Sequence, residues 1–207
     1  KLYSSIPFLF SFYLIYSLFT DKNELRFLSG FPPPEFYSIN IANNDCPLNL
    51  NCFKDYDKGY EYAKLNNKPI LIDFTGWACV NCRRMEENVW SDPEIYSLLN
   101  NDFVLISLYV DDRKKIDVKD QFDFKFLNGR IKKIESLGEK WATFQAINFN
   151  SASQPFYVQL NKELELLNSP IQYSGKKEFK NWLKKGLKRS TELPQKKDKN
   201  IYDHNLW

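Results

Sequence analysis

Residues 70–90 read ILIDFTGWACVNCRRMEENVW, and they set Cys79 and Cys82 directly after an apolar run and directly before a stretch with helical spacing. The run from Pro69 to Thr75 is short, β-rich and apolar except at Asp73, the pattern of a strand buried on both faces. Positions 79, 82, 86 and 89 then recur at three- and four-residue intervals. A helix from about Val80 to Trp90 therefore carries Cys82, Glu86 and Val89 on one face, with Arg83 directed outward. Such a cysteine pair can be a metal clip, a structural staple or a reversible electron carrier.

Cys79 stands at the strand-to-helix junction, where unpaired backbone N–H groups and the helix dipole favour a thiolate. Cys82, one turn on and deeper, can attack a mixed disulfide formed at Cys79, so the pair closes and a reduced partner leaves. Asp73 inside an apolar strand and Glu86 on the cysteine face add two carboxyls. Buried carboxyls have raised pKa values and can relay the proton that Cys82 must lose and regain. The competing reading is that each acid is simply satisfied by a nearby backbone or tyrosine donor. The zinc reading needs a second pair, and CPLNLNC supplies Cys46 and Cys52 with five residues between them, longer than the usual half-site.

Outward from this centre, Phe53 to Asn66 has helical spacing and is stopped by Asn66, Asn67 and Pro69. Ser91 or Asp92 caps a further short helix with Pro93 at its first position. Phe103 to Asp112 forms a second buried strand ending in acids. Arg113 to Ile134 is charged and without clean period, and is expected as an inserted loop. Glu135 to Phe149 is helical in spacing. PFYVQLN and ELELLNSPIQYS resemble the two strands of a hairpin turning at Asn161 to Glu163, and Phe179, Trp182, Leu183 and Leu187 line one face of a last, basic helix. Strand–helix–strand alternation followed by a hairpin predicts an α/β three-layer sandwich around a mixed sheet.

The 207 residues are 43% hydrophobic and 27% charged, enough to bury a core and to exclude wholesale disorder. A net charge of +3 points to no nucleic-acid partner; the basic stretch Lys176 to Lys199 reads as a solvated helix face and tail, or as a weak membrane-surface contact. Residues 1–20 include an uncharged span from Leu2 to Thr20, long enough for a membrane helix; a signal or interfacial segment and a buried soluble helix are the alternatives. Residues 21–45 contain Pro32, Pro33 and Pro34 and are expected as a stiff linker. The domain proper is expected over 46–189, with 113–134 inserted, and 190–207, which holds His204, as a polar tail.

FTGWACVNCRRMEENVWSDPEI, LYVDD and SQPFYVQL, with LSGFPPPEFYS before them, resemble the C-terminal periplasmic thioredoxin-like domain of DsbD-type thiol:disulfide interchange proteins and the end of their membrane region. The resemblance covers most of Leu28 to Arg189. It implies a thioredoxin fold and a protein-disulfide reductase at the periplasmic face of the bacterial inner membrane. Such a domain takes electrons from a membrane electron-transfer domain of the same longer chain and passes them to a periplasmic disulfide-containing protein or domain. It implies Cys79 as attacking thiol, Cys82 as resolving thiol, and Asp73 and Glu86 as the acids that modulate them. It further makes Gln154-Pro155 a cis-proline loop facing the cysteines, and Trp77, Ala78, Val80 and Asn81 part of the partner-binding rim. No cofactor beyond the cysteine pair and no metal is implied. Two departures stand out: the tryptophan that usually adjoins the first cysteine is Trp77, with Ala78 between, and Val80-Asn81 replaces the Gly-Pro of ordinary thioredoxins. Cys46 and Cys52 lie outside the core motif; in an oxidising compartment a structural disulfide is expected of them, with a second redox relay as the alternative. A freestanding periplasmic reductase and a zinc- or disulfide-stabilised binding module without turnover remain as other readings of the whole chain.

Overall fold

The apolar run before the cysteines becomes a central strand of a four-stranded sheet. The computed structural model describes residues 7–8, 11–12, 46–126 and 129–192. Along the chain these are β1 (Cys52–Phe53), α1 (Tyr56–Asn66), β2 (Ile70–Thr75), α2 (Val80–Met85) running into a π-helical turn (Glu86–Trp90), α3 (Pro93–Ser97), β3 (Val104–Tyr109), β4 (Phe122–Lys125), β5 (Ile131–Ile134), α4 (Leu137–Phe149), β6 (Phe156–Leu160) and α5 (Lys176–Glu192). The sheet order is β1–β3–β2–β6; β3 runs parallel to β1 and to β2, and β6 runs antiparallel to β2. Helices cover both faces, which gives the expected three-layer α/β sandwich with a mixed sheet.

Strand alternation sorts side chains into two cores. Ile70, Ile72 and Phe74 join Val104, Ile106, Leu108, Phe156 and Val158 on one face, packed against Ala63 of α1 and Trp141 and Phe144 of α4. Leu71, Leu105 and Tyr157 lie on the other, packed against Met85, Val89 and Trp90 and against Phe179, Trp182 and Leu183 of α5. On this second face the row turns polar toward the C-terminal ends of β2 and β3. Register pairs Asp73 with Ser107 and Tyr157, and Thr75 with Tyr109. All five are almost fully buried.

The helix boundaries follow from local chemistry. α1 begins at Tyr56 rather than Phe53 because Cys52 and Phe53 pair with Leu105 and Ile106 and Asp55 then accepts from the Lys58 N–H. Asn67, in the left-handed region, ends it. Of the two candidates Ser91 and Asp92, Asp92 caps α3, with Pro93 following, and Ser136 with Glu139 forms a capping box on α4.

Two expectations change, and a third falls almost wholly outside the described residues. The 113–134 insertion is not a loop throughout: it holds an antiparallel hairpin, β4 against β5, after a 3-10 turn at Val118–Asp120. Phe122 and Phe124 alternate with Asp123 and Lys125, a two-residue period too short to stand out among the surrounding charges. The strand expected after β6 reduces to two isolated bridges, Leu160 to Leu166 and Tyr157 to Ile171. Leu164 has φ of 63° and Pro170 lacks a donor N–H, so no continuous ladder forms there. The membrane helix expected over 1–20 finds no support: no helix among the described residues is long and apolar enough to cross a membrane. Apart from residues 7–8 and 11–12, that segment lies outside the described residues, as do the linker and most of the tail.

Candidate functional site

The chain leaves β2 at Thr75, turns through Gly76, Trp77 and Ala78, and enters α2 at its N-cap, Cys79. Asp111, two residues past the end of β3, holds that turn: its two carboxylate oxygens accept from the backbone N–H groups of Trp77 (2.8 Å) and Ala78 (2.9 Å). Gly76 permits the approach, since a Cβ there would lie 3.0 Å from an Asp111 oxygen. The Trp77 ring stacks on Tyr109 with centroids 4.0 Å apart, and Lys54 Nζ lies 5.0 Å from the Trp77 centroid and 5.5 Å from that of Tyr109. The tryptophan displaced by Ala78 is thus held on β3's last residue.

Cys79 and Cys82 form a disulfide. Cys79 is half-buried and its Sγ accepts from the Cys82 N–H at 3.1 Å, the contact of a helix cap; Cys82 is buried. Ala78 and Asn81 are exposed and Val80 half-buried, so the rim beside Cys79 is open. The Gln154–Pro155 peptide is cis and leads directly into β6. Phe156 pairs with Phe74, and continuing that antiparallel register sets Pro155 and Gln154 opposite Thr75 and Gly76, at the cysteine end of the sheet. Cys46 and Cys52 form a second disulfide, closing the turn Pro47–Asn49 just before β1. All four cysteines are therefore oxidised, which leaves no thiolate set for a four-sulfur metal site in this state. Among the described residues no cluster of His, Cys, Asp or Glu is arranged to hold a metal ion.

Beneath α2, the polar end of the sheet face meets two charged residues of the helix. Arg83 Nη2 lies 2.8 Å from Glu86 Oε1 and donates to Thr75 Oγ1 at 3.3 Å. Ser107 donates to Asp73 Oδ2 at 3.4 Å, while Asp73 Oδ1 is buried without a hydrogen-bond partner. Burial pushes the Asp73 carboxyl up to about 7 against the pull of the Arg83 charge and the Ser107 hydrogen bond. Burial pushes Glu86 up to about 8, with Arg83 lowering it and the charges of Asp73 and Glu87 raising it further. The ion pair favours the Glu86 carboxylate and burial favours its acid, so the proton count belongs to the two carboxyls together. The hydroxyls of Tyr109 and Tyr157 are raised by burial first and by these acids next, and both stay protonated.

Arg83 departs from the outward direction that helical spacing predicts. It was expected outward and is 3% exposed. At about 100° per residue, Glu86 lies about 40° from Cys82 and about 60° from Arg83 around the helix, so burying Cys82 and Glu86 brings Arg83 toward the sheet too. Thr75 and Glu86 then supply it with acceptors. Asp111 went unassigned for a different reason: it acts from a separate element, and only the folded chain sets it under residues 77 and 78.

The thioredoxin-like family matches residues 51–125, which contain the cysteine turn, both acids and Asp111. The chain is 31% identical over 107 residues to the thiol:disulfide interchange protein DsbD of Campylobacter jejuni strain RM1221, and equally to that of strain ATCC 700819. These matches take in 52% of this chain but only 17% of either relative's length. Among solved structures, a DsbH oxidoreductase is 17% identical with a TM-score of 0.47, covering 73% of this chain and 95% of its own. The C-terminal domain of Neisseria meningitidis DsbD, in reduced form, is 13% identical with a TM-score of 0.41, covering 65% of this chain and 98% of its own. The fold assignment rests on the sheet topology and the family match rather than on these scores.

Proposed function

We infer that this chain, which carries a thioredoxin-like domain related to DsbD, is a thiol:disulfide oxidoreductase that passes electrons from a membrane electron-transfer domain to periplasmic partner disulfides. The carrying observation is the Cys79–Cys82 disulfide itself: one sulfur at an open helix cap, the other buried on the helix that runs on to the buried Glu86. The kinship with DsbD supports the direction of flow and a location at the periplasmic face of the inner membrane. The redox group is the cysteine pair alone.

In the loading step, a donor thiolate attacks Cys79 Sγ, the Cys79–Cys82 bond breaks, and Cys82 leaves as a thiolate that takes up a proton. The donor's second thiolate then displaces Cys79, so the donor dithiol is oxidised by two electrons and the Cys79–Cys82 pair is reduced by two. Delivery reverses this: the Cys79 thiolate attacks a client disulfide, and Cys82 gives up its proton and closes the ring. Gln154-Pro155 and the rim formed by Trp77, Ala78, Val80 and Asn81 are the surface on which partner backbone docks.

Equilibration across a glutathione series, followed by alkylation and mass analysis of each cysteine, tests this reading. The Cys79–Cys82 pair is expected to titrate reversibly between roughly −200 and −320 mV. A pair with no reversible equilibrium in that range sinks the oxidoreductase reading. If it titrates but a reduced membrane donor domain fails to load it faster than glutathione does, the direction assigned here is overturned in favour of a freestanding reductase.

A further inference from the structure

We propose that Arg83 is a positioning residue of the thiol site: bonded to Glu86 and Thr75, it holds the buried Asp73–Glu86 pair to one proton in total, making that pair a single-proton store for Cys82. The inference rests on the oxidoreductase reading for its use, but the proton count is a property of the oxidised protein.

The geometry supplies the argument. Asp73 and Glu86 come from different elements, β2 and the turn after α2, yet both are buried; both feel the charge of Arg83, and Glu86 feels that of Asp73 as well, while Asp73 shares its strand face with Thr75, the hydroxyl to which Arg83 donates. A guanidinium stays charged at any accessible pH. With both carboxyls ionised the cluster would be a buried net anion; with both protonated it would leave Arg83 a buried cation whose 2.8 Å partner has become neutral. Either state is costly in a medium that solvates charge poorly. One proton between the two carboxyls gives a neutral cluster. The other titratable groups facing it do not alter the sum: Tyr109 from β3 and Tyr157 from β6 are held protonated, and Glu87 is exposed to solvent.

The neutral cluster suits the exchange. When Cys82 leaves as a thiolate, the stored proton moves to its sulfur and the pair is left doubly ionised beside Arg83; when Cys82 attacks, the proton returns. No proton need be fetched from solvent during the step in which a mixed disulfide could be lost to another thiol. Arg83 thereby sets the pH at which the store is half full, while making no covalent bond itself.

Carboxyl titration of the oxidised protein, with Asp and Glu side-chain carboxyls carrying carbon-13, reads the store directly because no thiol titrates in that state. The wild-type pair is expected to hold one proton at pH 7. Arg83→Met is expected to hold two at that pH and to move the first loss upward by at least one pH unit, a tenfold change in proton affinity; Arg83→Lys is expected to return the wild-type step. If Arg83→Met fails to fold, Glu86→Gln is compared with Arg83→Met/Glu86→Gln, and the Asp73 midpoint must rise by at least one unit in the double variant. Two ionised carboxyls in the wild type at pH 5, or midpoints unmoved by loss of Arg83, overturn the proposal even where the glutathione titration succeeds. Failure of that titration with the carboxyl result intact overturns the oxidoreductase reading and leaves the store standing.

Discussion

The chain carries two disulfides, and they differ less in the bond than in what surrounds it. Cys46–Cys52 closes a turn whose five intervening residues have no ionisable side chain, and Leu50 within it is buried in the core beside Leu71 and Leu105. Cys79–Cys82 spans a helix cap, and the helix it opens leads to the buried Arg83–Glu86 pair. The first fastens the chain's entry to the edge strand, and the second has an open rim and shares its helix with a buried ion pair. A disulfide exchanges more readily where nearby groups can stabilise its broken form, and ionisable residues follow Cys82 on its helix but are missing between Cys46 and Cys52.

The largest expected effect separates the two bonds outright. Cys79→Ser is expected to lower the rate of model-disulfide reduction on the order of a thousandfold or more. Replacing Cys46 and Cys52 together by Ser is expected to leave that rate within about threefold and to lower unfolding free energy by about 2 kcal/mol, as closure of so short a loop implies. Equal loss of exchange in both variants breaks the comparison and makes Cys46–Cys52 a second relay.

Next comes the buried acid. The folded-state pKa of Asp73 lies above its ordinary value of 3.8, so its neutral form stabilises the fold fully below that value, and the contribution is lost as pH rises through about 7. Asp73→Asn removes the loss: urea melts at pH 5 and pH 9 are expected to differ less than in the wild type, by roughly 2 to 4 kcal/mol. The pH profile of thiol alkylation is expected to shift in the same variant, and an unchanged profile removes Asp73 from the chemistry.

A smaller effect is expected at the turn. Asp111→Ala deprives the Trp77 and Ala78 N–H groups of their acceptors and is expected to cost about 1 kcal/mol and to slow exchange severalfold, measured by melts and by stopped-flow reduction. Smallest of all, Glu94→Gln tests whether dense charge alone matters. Lys180 and Lys184 both pair with Glu94 and hold its carboxyl down to about 2, yet the site is open to solvent. The sign is opposite to that of Asp73: this contribution is present above the ordinary value of 4.5 and is lost as pH falls toward 2. The exchange rate is expected to stay unchanged and Tm to fall slightly, less so at high salt.

The parts of the molecule that a local pattern dictates were legible in advance. ILIDFT and VLISLY read as buried strands because no face of them is polar throughout, and Asp92-Pro93 announced a helix start. Asp73 stood out as an acid in apolar surroundings, and Cys79 as a thiol at a strand-to-helix junction. The rest depends on what two elements do together. Arg83 reads as a surface residue until β2 and β3 supply Thr75 and Tyr109 beneath it, and Asp111 reads as the frayed end of a strand until the cysteine turn folds over it. The β4–β5 hairpin was hidden by charge, and the strand expected near Ile171 was lost to Pro170, whose effect on a ladder depends on which partner it faces.

The alternation along β2 has a further consequence, for how far a change on one face of the sheet is felt on the other. Asp73 and Thr75 share one side of the strand, while Ile70, Ile72 and Phe74 point to the other, among apolar and aromatic neighbours. A volume change on the α1/α4 side is therefore separated by the strand's own backbone from the polar row that Asp73 and Thr75 form. A single strand thus keeps two chemistries apart, one apolar and one ionisable.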